Sequence, residues 1–320
     1  MSEGAGKSPL DPDLLATFAR LREAGSSLPD PADVGVEAAQ ASRQRYYRFL
    51  ASAAPAAAMD TVSDVNAMGP NGRVLIRLYF PTSKRPAPVI VFIHGGGWWT
   101  GDVAAYDHLT RRLAAASGCA VASIDYRLWP AHRFPAAIED CDAAFDWILT
   151  EGKRHGLDTS RLALCGDSAG ATMSLTLALE HRGVAPIRGL ALAYGVFTTD
   201  TQTPSWQRIG DGSFGLSVRQ MRWIWEGYLP SGTDERDVRV SPGEADPAGL
   251  PPVWLMSCAF DPLVDDSERL GRRLEAAGVP VEWRREGGMT HGVWMMHNLF
   301  PRARASVEDA AKTLATWLRA

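Results

Sequence analysis

Cysteine is scarce: Cys119, Cys141, Cys165 and Cys258 are the only four in 320 residues, far apart and without a C-x-x-C pair. That spacing argues against a disulfide framework. Each thiol sits in an apolar stretch, so free, buried cysteines in a reducing compartment are expected. The seven histidines include no H-E-x-x-H and no close Cys/His cluster, and His291 and His297 have no third ligand nearby in the sequence. No metal is therefore expected, and nothing calls for an organic cofactor. Long apolar runs are missing as well, which argues against a membrane span. The opening MSEGAGKSPLDPD lacks the apolar segment of a secretory signal. Charge of one sign is not in excess either: the net charge is -4, the pI is about 6.0, and the arginines are scattered or in short pairs such as Arg272-Arg273 and Arg284-Arg285. Such a balance leaves no electrostatic footprint for nucleic acid or an anionic membrane. The expectation is a soluble, cytoplasmic protein, monomeric or homodimeric, with a small-molecule partner.

What is present is enough apolar residue for a large core, with 46% hydrophobic and 22% charged residues. Residues 1–60 are rich in Ala, Pro and Arg, with amphipathic stretches at Leu14–Leu21 and Val36–Leu50 joined by SSLPDPAD. They read as helices without a sheet. Beyond Met59, strand and helix patterns alternate about six times: VLIRLYF, PVIVFI, AVASIDYRL, LALC, IRGLALAYGVF, VWLMSCAF and VEWRREG are the strands. Alternation of this kind predicts an α/β fold with a mostly parallel sheet covered by helices on both faces. Residues 198–237 break it with Trp206, Phe214, Met221, Trp223, Trp225 and Tyr228 and no strand pattern. The expected organisation is a core at 61–197 and 238–320, with a cap built from 1–60 and the insertion 198–237.

Two phosphate-binding matches fail on context. GDGSFG (Gly210 to Gly215) fits G-x-G-x-x-G but follows no strand, and GAGKS (Gly4 to Ser8) lacks both the first glycine and the strand of a P-loop. A third match, GDSAG (Gly166 to Gly170), has its context: an apolar strand precedes it and an apolar helix follows. Alone, Ser168 could cap that helix, sit in a phosphate cradle, or be a nucleophile raised on a strained turn. Three further features favour the nucleophile. His94-Gly95-Gly96-Gly97 ends a buried strand, where glycines leave backbone N–H groups unobstructed. Asp261 follows VWLMSCAF, and His291 follows VEWRREG. A serine hydroxyl needs an imidazole to take its proton, and the imidazole needs an acid to orient it. The order Ser168, Asp261, His291 is that of the α/β-hydrolases. Asp265 is the rival acid, but it opens a helix, where a carboxylate is favourable on its own. Asp167 is given a structural part on the same ground.

With HGGGW, DYRLWPAHRFPAAIEDC, GDSAG, LPPVWLMSCAFDPLVDD and THG, the chain resembles the hormone-sensitive-lipase-like carboxylesterases of the α/β-hydrolase fold. The resemblance implies a serine ester hydrolase with a small-molecule ester substrate of short to medium acyl chain. It implies Ser168 as nucleophile, Asp261 as acid and His291 as base. Gly96, Gly97 and Ala169 become oxyanion donors, with Gly95 a further candidate, and a helical cap is implied as well. Trp129 and Ala131 depart from the family's Y-R-L-A-P-E-H pattern, and Val293 from its H-G-F. Trp98, Trp99, Phe214, Trp223 and Trp294 are candidate pocket residues, with Trp206 and Trp225 beside them. An amidase or arylformamidase, and a non-catalytic receptor on the same fold, are the rivals; the adjacent GDSAG and DPL speak against the first and His291 against the second.

Overall fold

The computed structural model describes residues 9–320, so GAGKS lies outside the described residues. Three helices come first: α1 (Pro12–Glu23), α2 (Pro31–Val34) and α3 (Val36–Ser52). Prolines stand at the first turns of α1 and α2, and Asp11 and Asp30 each accept a backbone N–H there, so both starts are set by local chemistry.

Eight strands then form one sheet in the order β1-β2-β4-β3-β5-β6-β7-β8. They are β1 (Thr61–Gly69), β2 (Gly72–Phe80), β3 (Ala87–Ile93), β4 (Ala120–Asp125), β5 (Leu157–Asp167), β6 (Ile187–Ala193), β7 (Val253–Phe260) and β8 (Val281–Thr290). β1 and β2 pair antiparallel, β2 runs antiparallel to β4, and all other pairs are parallel. The intervening helices are α4 (Asp107–Ser117), α5 (Ala136–Glu151), α6 (Ala169–Glu180), α7 (Pro204–Ile209), α8 (Val218–Tyr228), α9 (Val264–Ala276) and α10 (Pro301–Arg319).

The apolar runs are explained by burial on both sheet faces. In β3, Val89, Val91 and Ile93 join the core beneath α5 and α6, while Ile90 and Phe92 join the core beneath α4 and α10. Each such side chain contributes roughly 1.5–3 kcal/mol. α6 is apolar nearly all round because it is enclosed nearly all round: every residue from Ala169 to Ala178 is buried.

Three sequence readings shift. β1 has no apolar pattern, since it is an edge strand with mostly exposed or half-exposed residues, and its hairpin with β2 lies outside the strand–helix alternation. The strand read through IRGLALAYGVF stops at Ala193, because Tyr194 turns the chain at φ 39°. The apolar pattern of the sequence places a final helix over Val307–Leu318, and in the structure it starts at Pro301, nearly two turns earlier. α7 and α8 fill the interruption between β6 and β7, and α8 packs beside α2, with an ion pair between Arg219 and Asp33.

Candidate active site

Parallel strands bring their carboxyl ends to one edge, and every segment named above for chemistry leaves the sheet there. Ser168 follows β5, the His94–Gly97 loop follows β3, Asp261 follows β7 and His291 follows β8. Ser168 holds φ 52° and ψ −124°, a conformation that costs an L-residue strain. Although it stands at the start of α6, its side chain makes no capping bond. The hydroxyl instead lies 2.8 Å from His291 Nε2. On the other side of the ring, His291 Nδ1 is 2.8 Å from Asp261 Oδ2, and Asp261 is fully buried. Asp261 Oδ1 accepts the Leu263 N–H at 3.0 Å, which fixes the carboxylate. Asp265, the rival acid, accepts the Ser205 N–H at 2.8 Å at the start of α7 and does not face His291. Tyr194, which sequence reasoning missed, packs its ring edge-on to His291 at 5.1 Å, and its hydroxyl oxygen accepts the Trp294 N–H.

The glycine loop is bound to the serine turn by Asp167. Its Oδ1 accepts the Gly95 N–H at 2.9 Å, and Tyr106 OH donates to Oδ2 at 3.4 Å. Burial pushes the Asp167 carboxyl up to about 6, and the Gly95 N–H and the nearby His291 oppose that rise. Asp167 is thus a tie between two loops rather than a charge serving the helix. Gly95 as an oxyanion donor is corrected by the same bond, since its N–H is already used. The N–H groups of Gly96, Gly97 and Ala169 have no hydrogen-bond acceptor among the described residues. His94 is a packing residue: it is fully buried, stacks on Tyr126 at 4.2 Å, and holds Nδ1 2.8 Å from the Gly95 carbonyl oxygen.

A cavity of about 470 Å³ opens over Ser168 and His291. Its walls come from Gly96–Trp99, from α1 and α3 (Leu21, Arg43, Tyr46, Tyr47), from α8 (Gln220, Met221, Ile224) and from Met295 and Met296. Of the candidate pocket residues, Trp98, Trp99 and Phe214 line it. Trp223 and Trp294 are not among its walls. Trp223 lies edge-on to both Trp99 and Trp129, in the seam between α8 and the core. Trp294 is buried against Trp254 and donates from Nε1 to Ser306 Oγ at 3.0 Å. Trp206 is buried and Trp225 packs on Trp98. The loop GDGSFG follows α7 rather than a strand, and Asp211, Gly212, Phe214 and Gly215 form part of the cavity wall. All four cysteines are free and buried, and no helix among the described residues is long and apolar enough to cross a membrane.

Residues 90–295 match the family model described as the alpha/beta hydrolase fold. The chain is 33% identical to the ethyl acetate hydrolase of Pseudomonas putida over 307 residues, covering 92% of this chain and 95% of that protein. It is 36% identical to the esterase LipI of Mycobacterium tuberculosis, covering 72% of this chain and 74% of LipI. A solved esterase from Pyrobaculum calidifontis superposes with a TM-score of 0.89 at 29% identity, over 97% of this chain and 99% of that one. The chain belongs to the α/β-hydrolase family, among its hormone-sensitive-lipase-like carboxylesterases, and is an ester-hydrolysing enzyme.

Proposed function

We propose that the enzyme cleaves esters of short to medium acyl chain through an acyl-enzyme on Ser168. His291 Nε2 takes the hydroxyl proton as Oγ bonds to the ester carbonyl carbon. The negative oxygen of the tetrahedral intermediate is held by the N–H groups of Gly96, Gly97 and Ala169. Its collapse breaks the bond to the alcohol oxygen, and His291 returns the proton to that oxygen. Water then attacks the acyl carbon with His291 again as base, which releases the acid and restores the serine. Asp261 keeps Nδ1 protonated and stabilises the imidazolium formed in each half. The observation that carries this reading is the unbroken chain Ser168 Oγ, His291 Nε2 and Nδ1, Asp261 Oδ2, with both links at 2.8 Å.

Helices α1–α3, α7 and α8 act as a cap that encloses the acyl or alcohol part of the substrate. The chain-length range rests on the size of the cavity and its largely aromatic and aliphatic walls. The four buried free thiols support a reducing, cytoplasmic setting, and the enzyme works as a monomer or homodimer. A series of 4-nitrophenyl esters from acetate to decanoate, run beside a 4-nitroanilide and a Ser168→Ala variant, tests the reading. Ester turnover that favours the shorter chains, with the anilide slower and the variant at background, is expected. Absence of turnover on every ester with Ser168 intact overturns it.

A further inference from the structure

Resting on the ester-hydrolase reading, one part of the cavity wall says something about the substrate. Arg43, on α3, lines the cavity and is half-buried. Its guanidinium lies 5.8 Å from the centroid of the Trp99 ring and 6.0 Å from that of Tyr46. Flat aromatic faces hold a guanidinium in place without using its N–H donors. Among the described residues Arg43 has no hydrogen-bond or ion-pair partner. Two other half-buried arginines, Arg127 and Arg284, instead close on Asp140 and Asp309, each at 2.7 Å.

The carboxylates that share the cavity wall are hydrogen-bonded elsewhere, and none of them forms an ion pair with Arg43. Asp30 accepts the Ala32 N–H at 2.9 Å, and Asp167 accepts that of Gly95. Asp211 accepts the N–H and the hydroxyl of Ser213 at 2.9 and 2.7 Å. On α8, Gln220 also lines the wall, and its amide has no side-chain partner among the described residues. A fixed fork of unused donors, in a wall that Arg22 of α1 also lines, suits a planar anion.

We propose that the enzyme's substrates carry a carboxylate remote from the scissile ester, and that Arg43 binds it. The carboxylate could sit on either side of the ester bond, as in the monoester of a dicarboxylic acid or in the acyl ester of a hydroxy acid. Both keep the same recognition chemistry.

The test measures kcat and KM by titrating released acid from two matched pairs. Monoethyl adipate is run against ethyl hexanoate, and 4-acetoxybutanoate against butyl acetate. In at least one pair the charged ester is expected to have a kcat/KM about tenfold above its neutral match, in proportion to one charge-assisted contact. Raising the salt concentration should erode that preference. Arg43→Met should lower the charged-to-neutral ratio about tenfold, chiefly through KM, and Arg43→Lys should recover part of it. Neutral esters cleaved with no charged ester preferred, or a ratio the same in Arg43→Met as in the parent, would overturn the proposal while leaving ester hydrolysis intact. No cleavage of any of the four esters by the parent enzyme would instead remove the ester-hydrolase reading and this inference with it.

Discussion

A methyl group on Gly170 would stand 2.0 Å from the Ile93 carbonyl oxygen, and one on Gly166 would stand 2.4 Å from the Gly170 backbone. Both walls are main chain and cannot swing aside. The turn that lifts Ser168 therefore exists only with hydrogen at both positions, which is the physical content of G-x-S-x-G here. Gly96 is held as tightly, with φ +113° and the Thr100 carbonyl oxygen 2.0 Å from where a methyl would stand. Gly170→Ala is expected to cost about 3 kcal/mol in urea unfolding, the upper range for forced overpacking. An unchanged midpoint would mean that the strand and helix separate more easily than these contacts imply. Asp261→Asn should leave the far-ultraviolet spectrum unaltered and lower kcat about 10⁴-fold, because the amide favours the wrong imidazole tautomer. Retention of most activity would mean that His291 is oriented by its packing on Tyr194 alone. Of the proposed triad, Ser168 and Asp261 were legible because each follows an apolar strand, and His291 because it stands between the last strand and the last helix, although β8 itself is largely polar. Tyr194 and the true part of Asp167 were not legible. One depends on a backbone turn that no local pattern announces, and the other on a bond to Gly95, 72 residues away in the chain.

At the scale of elements, the departure Trp129 has a plain role. Its ring lies edge-on to Trp223 at 4.6 Å, and a methyl on Gly227 would stand 2.2 Å from Trp129 Cζ2. The tryptophan is thus keyed into α8 at a glycine, and Arg133 adds bonds from its guanidinium to the Glu226 and Leu229 carbonyl oxygens at the end of the same helix. Since α8 also supplies Gln220, Met221 and Ile224 to the cavity, loosening this seam should be felt by the substrate. Trp129→Ala is expected to lower stability by about 2 kcal/mol, less than a fully enclosed tryptophan would because Trp129 is half-buried. It should also raise KM more than it lowers kcat. Equal KM values for variant and parent would show that α8 is held without the indole. Elements with strong local signals were readable in the sequence: TRRLAAASG spells a helix that Gly118 ends, and α4 does close on Gly118 in the left-handed conformation. β1 was not, because this edge strand turns one face to solvent and covers the other only in part, with Val65 and Ala67 its apolar contacts to the core.

For the molecule as a whole, buried ionisable groups set how stability changes with pH. Asp266, on α9, accepts the N–H groups of Phe197 and Thr198, both at 3.3 Å, where the chain leaves the sheet toward α7. Burial pushes its carboxyl from an ordinary 3.8 up to about 8. The fold therefore favours the protonated form, and stability falls as pH rises from about 4 to about 8, then levels. Asp266→Asn should remove that slope, so the melting temperature of the parent minus that of the variant should decrease steadily over this interval. A constant difference would contradict it.

The histidine pair works in the opposite direction. His108 Nδ1 lies 2.7 Å from His297 Nε2, joining α4 to the segment between β8 and α10. Burial lowers His108 to about 4 and His297 to about 2, below the ordinary 6.5. Both stay neutral in the fold, so stability is lost as pH falls below 6.5. His297→Asn should make that acid decline shallower, and an unaltered decline would assign it to other groups. The central claim remains the covalent one at Ser168. Intact-protein mass spectrometry during rapid-quench hydrolysis of 4-nitrophenyl butyrate addresses it directly. The account expects one butyryl group gained per chain, mapped to the Ser168 peptide and absent from Ser168→Ala. Full turnover with no acyl adduct at Ser168, or an adduct on another residue, would contradict it.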